Sequence, residues 1–165
     1  DATLTFQGPN YISRKRIEIV ELMHGVEHQI RFLDGVGQQA LIQSYPNYDL
    51  SLDPWPQTGG VSSLEALWMG VPMVTMWGDR MITRTTASFL TNVGMADLIA
   101  YSEQAYIDRA VALVTTDRAH LAELRATSRE RMRTSPIMAG YREAVEAAYR
   151  HLWRDYCARP AERAA

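Results

Sequence analysis

Two glycines, two hydroxyl side chains and a carboxylate lie close together in the segment best suited to bind a ligand. Gly59 and Gly60 are followed by Ser62, Ser63 and Glu65. Glycine lets a ligand approach the backbone, and a helix beginning near Ser62 would direct free N–H groups and its positive dipole end to the same point. This chemistry suits a phosphate or a diphosphate. The alternative is structural, because Ser62 and Glu65 also fit the capping box S-x-x-E of a helix start.

A second glycine run imitates the fingerprint of dinucleotide-binding proteins. Residues 35–40 read G-x-G-x-x-A after a predicted strand, and Asp53 ends the next strand, where an acidic residue would hold ribose hydroxyls. Pro46 limits the intervening helix to about two turns, whereas the fingerprint unit spans ~30 residues. We favour a plain turn here and keep dinucleotide binding as an alternative.

The third candidate is a charged loop. Arg80 and Arg84 offer guanidinium groups that suit an anion, and Asp79 offers a carboxylate as a base or orienting group. The competing interpretation is that these residues cap the next helix and pair with one another. The four histidines lack metal-ligand spacing, and no G-x-S-x-G nucleophile motif occurs.

The elements that must position these loops alternate between strands and helices. We predict strands at 2–6, 28–34, 48–53 and 71–76 and helices at 12–23, 38–44, 62–69, 84–92, 103–115, 117–133 and 139–157. The alternation predicts an α/β fold with a doubly wound, mostly parallel sheet, followed by a helical C-terminal region. Such sheets bind ligands beyond the carboxyl ends of their strands, where all three candidate loops lie.

Composition narrows the class of protein. The 165 residues suffice for one globular domain, and 47% hydrophobic with 22% charged residues argues against disorder. With 17 basic and 19 acidic residues and no unmixed basic cluster, we expect no nucleic-acid partner. The lone Cys157 favours a reducing compartment, and no apolar run approaches the ~20 residues of a membrane span. We therefore expect a cytoplasmic protein with no membrane partner.

An ordered string of motifs carries a more specific signal than any one of them. Residues 49–75, with Asp53, Gly59, Gly60, Glu65 and Gly70, closely resemble the donor-binding half of the O-linked N-acetylglucosamine transferase family, which includes SPINDLY-like proteins. The similarity continues over nearly the whole chain. It implies an inverting glycosyltransferase of GT-B architecture, built from two Rossmann-like halves, that transfers a sugar, typically from UDP-GlcNAc, to Ser or Thr hydroxyls of a protein acceptor.

The resemblance implies roles for three sets of residues. They are Gly59, Gly60, Val61 and Ser62 for the donor diphosphate, Glu65 for the ribose hydroxyls, and Val36, Gln38 and Leu41 for the loop that receives uracil. We expect no cofactor and no metal, because a helix N-terminus can neutralise a diphosphate without one.

Four positions depart from the family pattern. Gln38, Leu41 and Ser44 stand where family members often have Lys, His and Arg, and Val61 replaces a hydroxyl residue. These departures predict an altered donor affinity or nucleotide identity.

The resemblance also divides the chain. We expect a Rossmann-like nucleotide-sugar-binding domain at 1–138 and, at 139–165, a C-terminal helix and tail packing on an N-terminal half outside this chain. In that helix Tyr141, Val145, Leu152 and Trp153 share an apolar side. Because Asp1 is not a methionine, we expect a piece of a longer polypeptide, inactive alone, with catalytic and acceptor-side residues upstream. A dinucleotide-binding domain and a non-catalytic, degenerate glycosyltransferase scaffold stay open as alternatives.

Overall fold

The computed structural model describes residues 2–8 and 13–158. The strands are β1 (Leu4–Gln7), β2 (Ile30–Leu33), β3 (Ser51–Leu52), β4 (Met73–Met76) and β5 (Ile99–Ala100). The helices are α1 (Ser13–Leu22), α2 (Gln38–Ser44), α3 (Val61–Trp68), α4 (Thr85–Asn92), α5 (Glu103–Thr115), α6 (Arg118–Thr134) and α7 (Tyr141–Ala158). Short 3-10 turns lie at Glu27–Gln29, Tyr45–Asn47, Met81–Thr83 and Ala96–Leu98.

The strands form two parallel sheets, which we call the β1–β2 ladder and the β3–β4–β5 ladder. β1 pairs with β2, with Leu4 opposite Ile30, and β4 lies between β3 and β5, with Thr75 opposite Ile99. Parallel strands need crossover connections, and a helix lies between each pair of successive strands. The predicted α/β class with parallel strands is confirmed.

The core lies between the β3–β4–β5 ladder and helices α3 to α6. Each of these helices contributes a fully buried leucine to one cluster: Leu67, Leu90, Leu113 and Leu124. Trp68, the residue after Leu67, is half-buried against this cluster. Buried strands with helices around them explain why the segment at β4 reads as a nearly continuous apolar run.

Helix α7 contributes no buried residue within the described chain. Most of its predicted apolar side is exposed: Tyr141, Leu152 and Trp153 are each more than 60% accessible, whereas Val145 is partly buried. Trp153 stacks on Tyr156 with ring centroids 5.7 Å apart. Packing of this helix on another part of a longer protein stays a prediction. Residues 159–165 of the expected tail lie outside the described residues.

The structure adds one strand that was not predicted and shortens another. Strand β5 was not predicted, because two residues after a 3-10 turn are too few to show an alternating pattern. The strand expected at 48–53 is only Ser51–Leu52, since the 3-10 turn after α2 extends to Asn47 and its last hydrogen bond joins Tyr48 N–H to the Tyr45 carbonyl at 3.0 Å. The predicted helix start at Ile12 lies outside the described residues. Within the described ranges, no helix is both long and apolar enough to cross a bilayer.

Candidate functional site

The loops after β3 and β4 form one hydrogen-bonded unit. The Thr58 N–H and the Thr58 hydroxyl both donate to the Ile82 carbonyl, at 3.2 and 2.9 Å. The Trp55 ring lies against Gly78, where an added Cβ would be 2.4 Å from it and 2.2 Å from Thr83 Oγ1. The two loops therefore support each other at the carboxyl edge of the β3–β4–β5 ladder.

Asp53 connects the first of these loops to the core. Its carboxylate is buried; Oδ1 accepts a hydrogen bond from the Gly59 N–H at 2.8 Å and Oδ2 accepts one from the Thr75 hydroxyl at 2.6 Å. Burial raises the pKa of Asp53, although both hydrogen bonds act in the opposite direction. The dinucleotide interpretation assigned the ribose hydroxyls to Asp53. That assignment is wrong, because both carboxylate oxygens are occupied inside the protein.

Gly59 leaves no room for a side chain. A Cβ at this position would lie 2.1 Å from Ser63 Oγ and 3.4 Å from Asp53 Oδ1. Ser63 is buried and its hydroxyl lies 3.1 Å from the Thr86 hydroxyl, which in turn donates to the Gly59 carbonyl at 3.3 Å. The peptide groups around Gly59 are thus held from both sides.

Helix α3 begins with free backbone donors. Gly60, Val61 and Ser62 are exposed, and none of their N–H groups has an acceptor in the part of the chain that the structure describes. The capping-box alternative is wrong: Gly60 is the N-cap residue, and no side chain caps the helix. Free amides at the positive end of a helix dipole form an anion-binding arrangement.

The predicted ribose and uracil residues lie next to each other. Gln38 Nε2, at the start of α2, donates to Glu65 Oε1 at 2.9 Å, and the Tyr45 hydroxyl donates to the Ser62 carbonyl at 3.3 Å. Burial and the nearby Glu65 charge raise the pKa of Tyr45. Glu65 Oε2 has no hydrogen-bond partner among the described residues, so one carboxylate oxygen is available to a ligand.

The remaining residues in and beside the predicted uracil loop differ in whether their polar groups are free to bind a ligand. Val36 is half-exposed, and no described residue bonds to its backbone. Leu41 is partly buried, with its N–H bonded to the Gly37 carbonyl at 3.0 Å. The Ser44 hydroxyl donates to the Leu41 carbonyl at 2.7 Å and is therefore used within its own helix.

The charged loop does not form the internal pairs that were expected. No ion pair joins Asp79 to Arg80 or Arg84 in the described chain, and the α4 N-terminus has no side-chain cap. Instead, the Arg84 guanidinium lies 5.5 Å from the centre of the Trp77 ring. Anion binding by Arg80 and Arg84 stays a prediction.

Several contacts that shape this site could not be predicted from the sequence. The contacts of Thr58, Thr75 and Thr86 join residues 22 to 27 positions apart, and no local spacing indicates them. Within residues 2–8 and 13–158, no three His, Cys, Asp or Glu side chains are grouped so as to hold a metal ion.

Comparisons with known proteins agree with one another. The family model of glycosyl transferase family 41 matches residues 38–145. Two similar proteins, both named probable UDP-N-acetylglucosamine–peptide N-acetylglucosaminyltransferase SPINDLY, come from Oryza sativa subsp. japonica and Arabidopsis thaliana; they are 41% and 40% identical over 118 residues, which is 70% of this chain and 13% of each relative. A solved structure of a mutant O-GlcNAc transferase from Thermobaculum terrenum superposes with a TM-score of 0.82 at 31% identity, covering 94% of this chain and 31% of that one. The chain thus spans a small part of the relatives it matches.

Proposed function

The chain belongs to glycosyl transferase family 41, and from this premise we propose that it is the nucleotide-sugar-binding half of an inverting protein O-glycosyltransferase. The donor is of the UDP-GlcNAc type, and the acceptors are Ser or Thr hydroxyls of a protein. The similar proteins reported above are named probable N-acetylglucosaminyltransferases or an O-GlcNAc transferase, and this chain matches a part of each.

One observation carries the proposal: the first residue of α2 is hydrogen-bonded to a carboxylate in the second turn of α3. The Gln38–Glu65 contact holds the Glu65 carboxylate, with one oxygen free, at the residue that follows Val36 and Gly37. The same carboxylate lies within one helical turn of the unpaired amides of Val61 and Ser62. A nucleoside diphosphate would use all three features: the open backbone at Val36, the free carboxylate oxygen of Glu65 and the unpaired amides of α3. The base would contact Val36, Gln38 and Leu41, the ribose Glu65, and the diphosphate Gly60, Val61 and Ser62, with Gly59 supporting the loop from inside.

The proposed contribution to chemistry is stabilisation of the leaving group. As the bond between the sugar and the diphosphate breaks, negative charge grows on the diphosphate oxygens, where backbone N–H groups at a helix start are already oriented. In an inverting transfer the acceptor hydroxyl attacks from the opposite side of the sugar. A partner half of the same enzyme would supply the acceptor site and the general base that takes the proton of that hydroxyl. Metal independence and a cytoplasmic location stay predictions.

The exposed helix α7 would join this chain to the partner half. Its apolar side is uncovered within the described residues although the rest of the C-terminal region, α5 and α6, is packed into the core. Exposed apolar surface of this kind marks interaction sites. We therefore keep the division into a nucleotide-sugar-binding domain at 1–138 and a docking helix and tail at 139–165.

Calorimetric titration with UDP and its deoxyribose analogues tests the proposal. Wild-type chain should bind UDP and discriminate against 2′-deoxy-UDP or 3′-deoxy-UDP. Glu65→Ala should bind UDP about tenfold more weakly and lose that discrimination, since the carboxylate that reads the hydroxyls is gone. Glu130→Ala, which removes an exposed carboxylate from α6, is the matched control and should bind like wild type. NADH binding without UDP binding would favour the dinucleotide alternative and contradict the proposal.

A second candidate is a non-catalytic scaffold that retains the fold. The observation in its favour is that the Gln38 amide and the Ser44 hydroxyl, at positions where the family resemblance implies cations, both bond within the protein. Sugar-nucleotide turnover by the full-length protein separates the two candidates, because robust transfer excludes the scaffold.

A further inference from the structure

We propose that Asp53 is a positioning residue of the diphosphate site, which holds the Gly59 amide inward so that the next three amides face the ligand. The inference rests on the proposed function, because it gives a role in donor binding to a side chain that does not touch the donor. Asp53 is buried, so any effect on the ligand must pass through the loop.

The Asp53 carboxylate is part of the core rather than of the loop. Oδ2 accepts a hydrogen bond from Thr75 in the buried strand β4 at 2.6 Å, and the Asp53 carbonyl accepts one from the Tyr106 hydroxyl of α5 at 3.0 Å. With its own position fixed from two elements, the carboxylate holds the Gly59 N–H through Oδ1 at 2.8 Å. The loop is thus anchored to the sheet one residue before the free amides begin.

The opposite side of Gly59 is fixed as well. Its carbonyl accepts a hydrogen bond from the Thr86 hydroxyl, and the preceding Thr58 bonds twice to the Ile82 carbonyl. Inward peptide groups at 58 and 59 are followed by outward amides at 60, 61 and 62. A loop that already has this shape in the free protein binds an anion without a further loss of conformational entropy.

The partners of Asp53 indicate that shape, not charge, is its contribution. Its carboxylate is bonded to an amide and a hydroxyl, and no Lys, Arg or His is ion-paired with it in the described ranges. An uncompensated carboxylate would repel a diphosphate rather than attract one. Asparagine at position 53 should therefore preserve the loop, because its side-chain carbonyl can accept a hydrogen bond from the Gly59 N–H while its amide donates one to Thr75 Oγ1.

The test combines amide hydrogen exchange in the ligand-free chain with UDP affinity. Asp53→Ala should accelerate exchange at Gly59 and weaken UDP binding, each by about tenfold. Asp53→Asn should keep both values within about threefold of wild type or bind UDP more tightly. Ser128→Ala is the matched control: it removes a buried hydroxyl that donates to the Leu67 carbonyl at 2.6 Å, away from the loop, and should leave exchange at Gly59 and UDP affinity unchanged.

Two results would overturn the inference. One is wild-type protection of the Gly59 amide in folded Asp53→Ala; the other is an Asp53→Asn variant that loses UDP as fully as the alanine variant, which would assign the effect to charge. If Asp53→Ala does not fold, Thr75→Val removes the core hydrogen bond alone, and wild-type exchange and affinity in that variant would count against the inference. A wild-type chain that binds no UDP refutes the proposed function, while exchange at Gly59 still decides the positioning role.

Discussion

Gly59→Ala is the substitution for which the structure predicts the clearest energetic effect. The new Cβ would lie 2.1 Å from Ser63 Oγ, whereas Cβ contacts below 3.0 Å essentially do not occur, so one of the two must move by roughly 1 Å. Ser63 and Thr86 are fully buried and bonded to each other, and neither can turn toward solvent. Overpacking of this kind costs about 1–3 kcal/mol, and 1 kcal/mol lowers Tm by about 2–4 °C in a chain of this size.

Urea unfolding followed by circular dichroism measures this loss. Gly37→Ala is the matched control, because Gly37 has ordinary extended backbone at φ −61° and ψ 155° and a Cβ there would meet nothing within 4 Å; its effect should stay within about 0.5 kcal/mol. In the double variant Gly59→Ala/Ser63→Ala the clashing oxygen is absent, so the two losses should not add. Equal effects of the Gly37 and Gly59 substitutions, or strict additivity in the double variant, would refute the steric argument.

Three further predictions concern other parts of the chain. Leu124→Ala, in the core, should cost about 2–5 kcal/mol, whereas Leu152→Ala, on the exposed side of α7, should cost less than about 0.5 kcal/mol in the same unfolding assay; a large loss at Leu152 would show that α7 packs on this chain. The hydrogen bond to Asp97 raises the pKa of His120 above 6.5, against opposing burial and Arg109. The resulting stabilisation is complete below pH 6.5 and is lost as the pH rises through the raised pKa. In wild type, the free energy of unfolding should therefore be smaller above the raised pKa than below pH 6.5, whereas His120→Gln should lack this decrease. An equal decrease in the two proteins would contradict the prediction. Gln38→Lys places a cation beside Glu65 and should raise UDP affinity in a manner that added salt weakens; unchanged calorimetric affinity at low salt would count against this position of the nucleotide.

Local signals predicted the helices that carry the site. Helix α2 has its predicted bounds, 38–44, because Gly37 precedes it and Pro46 limits its length. Helix α3 begins one residue earlier than expected, since Gly60 is the N-cap and the S-x-x-E pattern lies inside the helix. Ser62 and Glu65 do lie at the beginning of a helix, but Gly60 before them takes the N-cap position, so they do not cap it.

Contacts between distant residues were not predictable from spacing. Gln38 and Glu65 are 27 positions apart, and so are Gly59 and Thr86. Contacts of α2 with α3, and of the loop after β3 with α4, bring these pairs together. Asp53 is the clearest example of a role that the sequence leaves open, because an acidic residue at a strand end is equally suited to ribose binding and to holding a loop. Its burial and its two donors, neither visible in the sequence, decide between those uses.

The most direct test of the central claim is the backbone amide spectrum of the chain during a UDP titration. Saturable shifts concentrated at 36–41 and 59–65, with α6 and α7 unchanged, are the predicted result. No shift at millimolar UDP, or shifts confined to residues outside those two segments, would contradict the assignment of a nucleotide-sugar site to the place where Gln38 of α2 meets Glu65 of α3.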